Sequence, residues 1–180
     1  MKKVVIFMAN GFEEMEALVT ADILRRSGVS VELASITGKR EVIGSHHIKV
    51  TADIVFEGDA VDDADMLILP GGPGAAAFIA NQALVDVLIS HNSRGGYLAA
   101  ICAAPVTLGK LGILRNKTAT CYPGMGDEMN AAVYSTDMVV IDDHIITARG
   151  PGAASAFGLK LSEIMVGTEE MLRVKEAMLL

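Results

Sequence analysis

Three short runs of consecutive apolar residues are the feature that most constrains how this chain can fold. They occupy residues 4–8, 66–69 and 97–101, and none of them alternates between apolar and polar side chains. A strand has this composition when both faces of a parallel sheet are covered, whereas a strand with one face in water alternates. The runs therefore predict a mostly parallel sheet with helices on both faces.

Segments with helical periodicity separate these runs. Residues 14–27 repeat their apolar side chains at helical spacing and stop at Gly28. The same pattern predicts helices over 84–89, over 153–166 and from Thr168, which is the expected N-cap of the last helix. Strands that alternate with helices form βαβ units around a parallel sheet.

A β-hairpin is predicted towards the end of the chain. Two β-rich runs, 139–141 and 145–148, flank Asp142-Asp143, which are residues typical of a tight turn. No linker, low-complexity tract or internal repeat interrupts the sequence, so a single domain over residues 1–180 is expected.

Composition and charge argue against several classes of function. The net charge is −7 and basic residues form no polybasic face, which disfavours nucleic acid as a partner. No stretch approaches the ~20 apolar residues of a membrane span. Two cysteines and four histidines show no disulfide framework and no metal-ligand spacing, and His91 and His144 are expected at the surface. We expect a reduced, cytoplasmic protein without a metal, a cofactor or a membrane contact.

Cys102 is the residue whose position most indicates reactivity. It follows the apolar run 97–101 and precedes Pro105, which suits the first turn of a helix. A side chain at such a strand-to-helix turn lies at the edge of the sheet, where N–H groups and the helix dipole stabilise a thiolate. We therefore expect a thiol pKa below the reference value of about 8.5. The alternative is an ordinary buried cysteine, which is what we expect of Cys121.

Two glycine-containing loops follow other strands of the predicted sheet. Gly71-Gly72 ends the run 66–69, where it either lets backbone N–H groups approach a ligand or supplies only a turn. Gly150-Pro151-Gly152 follows the run 145–148 and is either a turn or an anion-binding helix end. Ligands of open α/β sheets bind at the carboxyl ends of the strands, so both loops are expected near Cys102.

Three acidic residues mark the start of the first predicted helix. Glu13, Glu14 and Glu16 favour that position simply by compensating the helix dipole. A buried carboxyl beside a thiolate would instead have a raised pKa and could transfer a proton. Periodicity does not decide between Glu14 and Glu16 for this role, because both share a helical face with apolar residues.

Four motifs together resemble the ThiJ/PfpI superfamily, and within it the branch of the human parkinsonism-associated protein and its bacterial relatives. The motifs follow the family's order over essentially the whole chain. They are Gly11-Phe12-Glu13-Glu14-Met15-Glu16, Leu69-Pro70-Gly71-Gly72, Ala99-Ala100-Ile101-Cys102-Ala103-Ala104-Pro105 and Arg149-Gly150-Pro151-Gly152. The resemblance implies a flavodoxin-like three-layer α/β sandwich, a nucleophile elbow at the carboxyl edge of the sheet, and a homodimer.

The resemblance also implies roles for individual residues. Cys102 takes the place of the family's nucleophilic cysteine, and Glu16 takes that of the carboxyl beside it. The N–H groups of Gly72 and Ala103 would form an anion pocket, with Gly150 and Pro151 as possible accessory residues.

The chain departs from the family's pattern at three positions. Ala103 stands where the protease-type branch has a histidine directly after the cysteine, which disfavours intracellular proteolysis. Tyr122 stands where relatives commonly carry a histidine before the proline, and tyrosine is a poor base near neutral pH. His46 stands where a relative may carry an arginine. Tyr122 and His46 are candidate accessory residues.

Two classes of function fit these residues. The first is an enzyme that acts on reactive dicarbonyls or on glycated protein, a glyoxalase or deglycase, in which Cys102 attacks the carbonyl and Glu16 moves a proton. The second is a redox-sensing or chaperone-like protective protein, in which Cys102 oxidises to a sulfinate. A thiamin-precursor role is implied only by an old family label.

Overall fold

The computed structural model describes the backbone of residues 1–180 and the side chains of residues 1–58 and 61–180. The strands are β1 (Lys3–Met8), β2 (Ser30–Ser35), β3 (Glu41–Ile43), β4 (Lys49–Thr51), β5 (Ile54–Val55), β6 (Met66–Leu69), β7 (Tyr97–Ile101), β8 (Thr118–Ala119), β9 (Val133–Tyr134), β10 (Val139–Asp142) and β11 (Ile145–Ala148). The helices are α1 (Glu14–Arg26), α2 (Ala76–Ala80), α3 (Gln82–Ser93), α4 (Pro105–Lys110), α5 (Gly126–Met129), α6 (Ala154–Val166) and α7 (Thr168–Ala177). Short 3-10 turns span Gly58–Val61, Pro73–Ala75 and Pro151–Ala153.

The central sheet is mostly parallel, as predicted. Its seven strands lie in the order β10-β11-β7-β6-β1-β2-β5. Every neighbouring pair is parallel except β10 with β11, which form the predicted antiparallel hairpin around Asp143. Two further pairs, β3 with β4 and β8 with β9, form small sheets of their own.

Helices cover both faces of this sheet. Along β1, Val4 and Ile6 pack into a buried cluster that contains Phe157 of α6. Val5 and Phe7 pack on the opposite face into the cluster around Phe78 of α2. The uninterrupted apolar run of β1 therefore buries side chains on both faces, which is the physical reason why it does not alternate.

The order of the strands brings three loops together. The chain runs from β1 to β2 on one side of β1 and returns to β6 on the other side. Loops at such a switch point diverge at the carboxyl edge of a parallel sheet and leave a crevice. Here the loop after β1 binds the loop after β6, since Glu13 donates its backbone N–H to Gly71 at 3.0 Å and Gly74 donates to Gly11 at 2.9 Å.

The expected surface position is wrong for His91, whereas His144 is partly exposed. His91 is only 3% exposed, because Gly96 leaves just enough room for its imidazole ring at the end of α3. The side chain of His144 is 19% exposed, and its Nε2 hydrogen-bonds Asn92 Oδ1 at 2.9 Å. Local sequence does not reveal either of these contacts.

Thr168 is not the N-cap of the last helix. It is the first helical residue of α7, and its hydroxyl donates to Glu163 at 3.1 Å. Gly167 holds the cap position with a φ of 90°, because the chain turns sharply there between α6 and α7.

The length and the apolar composition of a helix decide whether it can span a membrane. Within the part of the chain that the structure describes, no single helix has both the length and the apolar composition of a span. The segments Pro73–Ala80 and Gln82–Ser93 meet that test only together, and they are bent by 82°.

We predict that acidification from about pH 7 to about pH 5 destabilises the wild type more than a His91→Phe variant. Burial lowers the pKa of His91 from its usual 6.5, so the unfolded chain binds a proton that the folded protein disfavours. The contribution of the neutral ring is therefore present at neutral pH and is lost as the pH falls below about 6.5. Urea unfolding at both pH values measures how much unfolding free energy each protein loses on acidification. An equal loss in the wild type and in His91→Phe would contradict the prediction.

Candidate active site

Cys102 sits in a sharp turn between β7 and α4. Its φ is 65°, in the left-handed region that non-glycine residues rarely adopt. Two backbone hydrogen bonds hold the turn: the N–H of Cys102 donates to Ala148 at 2.9 Å, and its carbonyl accepts from the N–H of Tyr122 at 2.8 Å. The predicted elbow is confirmed, and its thiol is 7% exposed at the carboxyl edge of the sheet.

Glu16 faces this thiol from the first turn of α1. Glu13 caps the helix by accepting the N–H of Glu16 at 2.8 Å, which sets the direction of the Glu16 side chain. The carboxyl is fully buried and lies beside the Cys102 side chain, which affects its pKa. Its Oε2 accepts the N–H of Gly71 at 2.7 Å, while its Oε1 has no partner among the described residues.

Glycine at 71 and 72 allows this close approach. A Cβ at Gly71 would lie 2.7 Å from Cys102 Cβ, 2.8 Å from Glu16 Oε2 and 2.9 Å from the Ala103 nitrogen. Gly72 has a φ of 84°, and the backbone N–H groups of Gly72 and Ala103 lower the pKa of the Cys102 thiol. The structure thus brings together the four residues for which the sequence implied a shared site.

Burial has the largest effect on the pKa values of Glu16 and Cys102. It raises the pKa of the Glu16 carboxyl from 4.5 to about 7, against the hydrogen bond from Gly71. Burial and the neighbouring Glu16 charge raise the pKa of the Cys102 thiol to about 12, against the N–H groups of Gly72 and Ala103. The expectation of a Cys102 thiol pKa below the reference value is therefore wrong for the protein in which Glu16 is ionised. Because each ionisation opposes the other, the two side chains hold one proton between them over this range.

Glu14 has the opposite environment to Glu16 although both begin α1. Burial alone would raise its pKa, but hydrogen bonds from the side chain and backbone of His46 outweigh burial and lower the pKa to about 2. The His46 ring lies 2.7 Å from Glu14 Oε2, and the His46 N–H donates to Oε1 at 2.7 Å. Glu14 therefore anchors the turn between β3 and β4, and only Glu16 faces the elbow.

One group of possible metal ligands escaped the sequence analysis. Ligand atoms of Glu13, Glu14 and His46 lie within 4.8 Å of one another. Spacing along the chain could not reveal it, since His46 comes from a hairpin 32 residues after Glu14. Glu13 caps α1 and Glu14 binds the hairpin, so these side chains already have structural partners and do not by themselves define a metal site.

The Tyr122 ring packs against Gly150 and is half exposed. The ring lies over Gly150, where a Cβ would sit 3.3 Å from Tyr122 Cδ2, and the residue is 48% exposed. Tyr122 and Pro151 line an open depression of about 300 Å³. Among the described contacts, Tyr122 reaches the elbow through its backbone N–H, which donates to Cys102.

Cys121 is a buried core residue, as predicted. It is 0% exposed and lies just beyond β8. Burial raises the pKa of its thiol to about 11. It therefore serves as an internal reference for the reactivity of Cys102.

Comparison with known proteins identifies the class of protein. The model of the DJ-1/PfpI family matches residues 2–164. Protein dj-1beta of Drosophila melanogaster is 39% identical over 99% of this chain and 97% of its own. The crystal structure of Drosophila DJ-1beta has a TM-score of 0.95 at 38% identity and covers 99% of this chain and 98% of that one.

Two further relatives carry names that bear on chemistry. The glutathione-independent glyoxalase DJR-1.2 of Caenorhabditis elegans is 33% identical over 88% of this chain and 85% of its own. A structure of oxidised DJ-1 from Toxoplasma gondii has a TM-score of 0.93 at 33% identity, covering 99% of this chain and 98% of that one. The chain therefore belongs to the DJ-1/PfpI family, and the predicted flavodoxin-like sandwich is confirmed.

We predict that alkylation of Cys102 by iodoacetamide rises with pH to a step near pH 7 and then reaches a plateau. The step is the loss of the first of the two protons of the Cys102–Glu16 pair, and the second is held until about pH 12. Glu16→Gln leaves a single titrating group and moves the step to the pKa of the isolated thiol. Peptide mapping between about pH 5 and pH 10 resolves Cys102 from Cys121. A wild-type rate that rises tenfold per pH unit across this range would contradict the shared proton.

We predict that Gly71→Ala disrupts the site. The new methyl group would lie under 3 Å from Cys102, Glu16 and Ala103, so one of them must move. Overpacking of this kind costs roughly 1–3 kcal/mol, and the alkylation rate of Cys102 should change at least tenfold because its neighbours are displaced. Gly152→Ala is the matched control, since a Cβ there meets nothing within 4 Å. Unchanged stability and alkylation in Gly71→Ala would refute the prediction.

Proposed function

We propose that this protein is a cysteine-dependent enzyme of the glyoxalase type that converts 2-oxoaldehydes to 2-hydroxy acids, and that it accepts their adducts on protein nitrogen. The observation that carries the proposal is the fully buried Glu16 carboxyl, which lies beside the side chain of Cys102 at Gly71. The name of the Caenorhabditis elegans relative, a glutathione-independent glyoxalase, supports it.

The first step is addition of the thiol to the aldehyde. The sulfur of Cys102 bonds to the aldehyde carbon, and the aldehyde oxygen takes up the proton that the pair holds, which gives a hemithioacetal. The backbone N–H groups of Gly72 and Ala103, which lower the pKa of the Cys102 thiol, would stabilise the negative charge that develops on oxygen.

The second step is a proton transfer between adjacent carbons. Glu16 removes the proton from the carbon bonded to sulfur and returns it to the neighbouring carbon, so that the hemithioacetal becomes the thioester of a 2-hydroxy acid. A carboxyl with a pKa of about 7 suits both the removal and the return of this proton, because a general base or acid works best when its pKa lies near the working pH.

The third step is hydrolysis. Water attacks the thioester carbonyl, the 2-hydroxy acid leaves, and the thiol of Cys102 takes back its proton. The reaction as a whole adds one water to the 2-oxoaldehyde and needs no external oxidant or reductant. This sequence requires only Cys102, Glu16 and the backbone donors, so it has no step for the Tyr122 ring.

We predict that turnover of methylglyoxal to lactate requires both members of the pair. Cys102→Ser and Glu16→Gln should each lower kcat/KM by at least 10²-fold, because each removes a nucleophile or a general base. Tyr122→Phe should stay within about threefold of the wild type, since the ring lies over Gly150. Enzymatic assay of D- and L-lactate gives the rate. Wild-type protein without turnover, or a Glu16→Gln variant at full activity, would refute the proposal.

A second candidate function is protection through oxidation of Cys102. Two equivalents of peroxide would convert the thiolate to a sulfinate, whose oxygens could accept the N–H groups of Gly72 and Ala103 and a proton from Glu16. The oxidised structure of the Toxoplasma gondii relative favours this candidate. Mass spectrometry after dilute peroxide, together with an absence of methylglyoxal turnover, would select it over the enzyme.

We further propose that a second copy of the chain covers the exposed apolar side chains of α1 and of the β3–β4 hairpin. Met15 and Ile48 are each 52% exposed, and Ile43 is 37% exposed. The two elements lie side by side, since Glu14 of α1 binds the hairpin turn. A homodimer would remove these side chains from water.

Met15→Arg is predicted to convert the dimer to a monomer. The charge would be buried without a partner at the interface. Light scattering after gel filtration should give twice 18.9 kDa for the wild type and a single copy for the variant. Leu172→Arg, at an equally exposed site on α7, is the control that should remain dimeric. A monomeric wild type would refute the proposal.

A further inference from the structure

A cavity opens directly beside the elbow. Its volume is about 200 Å³, and its lining includes Gly72 and Ala103. These are the two residues whose backbone N–H groups lower the pKa of the Cys102 thiol, and Ala103 directly follows Cys102 in the elbow. The cavity is therefore continuous with the position that a carbonyl oxygen would take after addition to the thiol.

The remaining walls of the cavity are mostly apolar. Ala76 and Ile79 of α2 form one wall, and Val106 of α4 with Met125 forms another. None of these four side chains carries a hydrogen-bonding group other than the weak thioether acceptor of methionine. The cavity therefore favours a hydrocarbon group over a polar one.

Besides Pro73, Ala75 and the single hydroxyl of Thr107, the lining contains two charged residues that do not select for an ion. Lys110 and Glu128 are both exposed and have opposite charges. Their charges offset each other, and water at the rim screens both. A neutral group therefore loses nothing by entering, whereas an anion or a cation gains little.

A substrate bonded to Cys102 has few directions in which to extend. The side of the sulfur that faces the core is filled, because a single methyl group at Gly71 would already collide with Cys102 and Glu16. The carbonyl oxygen faces the N–H groups of Gly72 and Ala103. The rest of the molecule must lie towards the opening, where the apolar cavity begins.

We propose that this cavity binds the substituent on the keto carbon, and that the preferred substrates are 2-oxoaldehydes with an apolar substituent of several carbons. The inference rests on the proposed glyoxalase function and gives it a substrate class. Methylglyoxal, whose substituent is one methyl group, leaves most of the cavity empty. Ala76 and Ile79 are then residues that determine specificity, without a part in the chemistry.

The first test is a series of substrates of increasing length. Burial of one methylene group is worth about 0.8 kcal/mol, which corresponds to roughly fourfold in kcat/KM. From methylglyoxal to 2-oxohexanal, which has three more methylene groups, kcat/KM should rise roughly fiftyfold. A flat or falling series, with methylglyoxal turned over, would overturn the inference and leave the proposed function standing.

Two neighbouring alanines provide a matched pair of variants. Ala76 and Ala77 both lie in α2 and are both exposed, but only Ala76 lines the cavity. Ala76→Phe fills the cavity and should lower the ratio of kcat/KM for 2-oxohexanal to that for methylglyoxal at least tenfold. Ala77→Phe should leave this ratio unchanged. Equal ratios in the two variants would overturn the assignment of the cavity.

The second test does not depend on turnover. The alkylation rate of Cys102 is compared between iodoacetamide and N-butyl iodoacetamide, each relative to its rate with a free thiol. The wild type and Ala77→Phe should favour the butyl reagent at least fivefold, and Ala76→Phe should not. If the wild type favours the butyl reagent but does not turn over 2-oxoaldehydes, the binding site is supported and the glyoxalase function is refuted. An equal rate for both reagents would refute the binding site itself.

Discussion

The contact at Gly71 is the constraint on which the rest of the site depends. There the backbone after β6 passes so close to Cys102, Glu16 and Ala103 that no side chain fits between them. Three segments distant in sequence thus meet at one point. The Gly71 N–H donates to Glu16, and the Gly71 carbonyl accepts from Glu13, so the same residue fixes both the reactive carboxyl and the cap of α1.

This contact also explains why the carboxyl keeps its proton near neutral pH. Glu16 is fully buried, and it has one hydrogen bond from a backbone N–H and a thiol as its neighbour. Glu14 begins the same helix but reaches an exposed hairpin, where His46 supplies two hydrogen bonds. Two carboxyls two residues apart therefore have pKa values of about 2 and about 7, because hydrogen bonds outweigh burial at Glu14, whereas burial outweighs the one backbone hydrogen bond at Glu16.

The sheet determines which loops can share a site. Strands β1, β6 and β7 are adjacent and parallel, so the loops that follow them leave at the same edge. The loop after β1 carries Glu16, the loop after β6 carries Gly72, and the turn after β7 carries Cys102. The cavity beside the elbow follows from the same arrangement, since α2 and α4 diverge from neighbouring strand ends.

Much of this protein could be predicted from its sequence, because the relevant interactions are local. Uninterrupted apolar runs predicted a sheet covered on both faces, and Pro105 after a strand predicted the elbow at Cys102. The Thr168 cap was wrong because a turn between two helices needs the backbone freedom of Gly167. The surface position of His91 was wrong because its burial depends on the space beside Gly96, which local polarity does not encode.

Other properties were decided only by the tertiary structure. Periodicity placed both Glu14 and Glu16 partly inwards, and only the packed molecule shows which of them meets the thiol. The direction of the thiol pKa, the turn of the Tyr122 ring towards Gly150 and the cavity at Ala76 depend on groups that are distant in sequence. The physical reason is that a strand or a helix end follows from neighbouring residues along the chain. Desolvation, charge and empty volume are instead set by whatever the fold brings within a few ångströms.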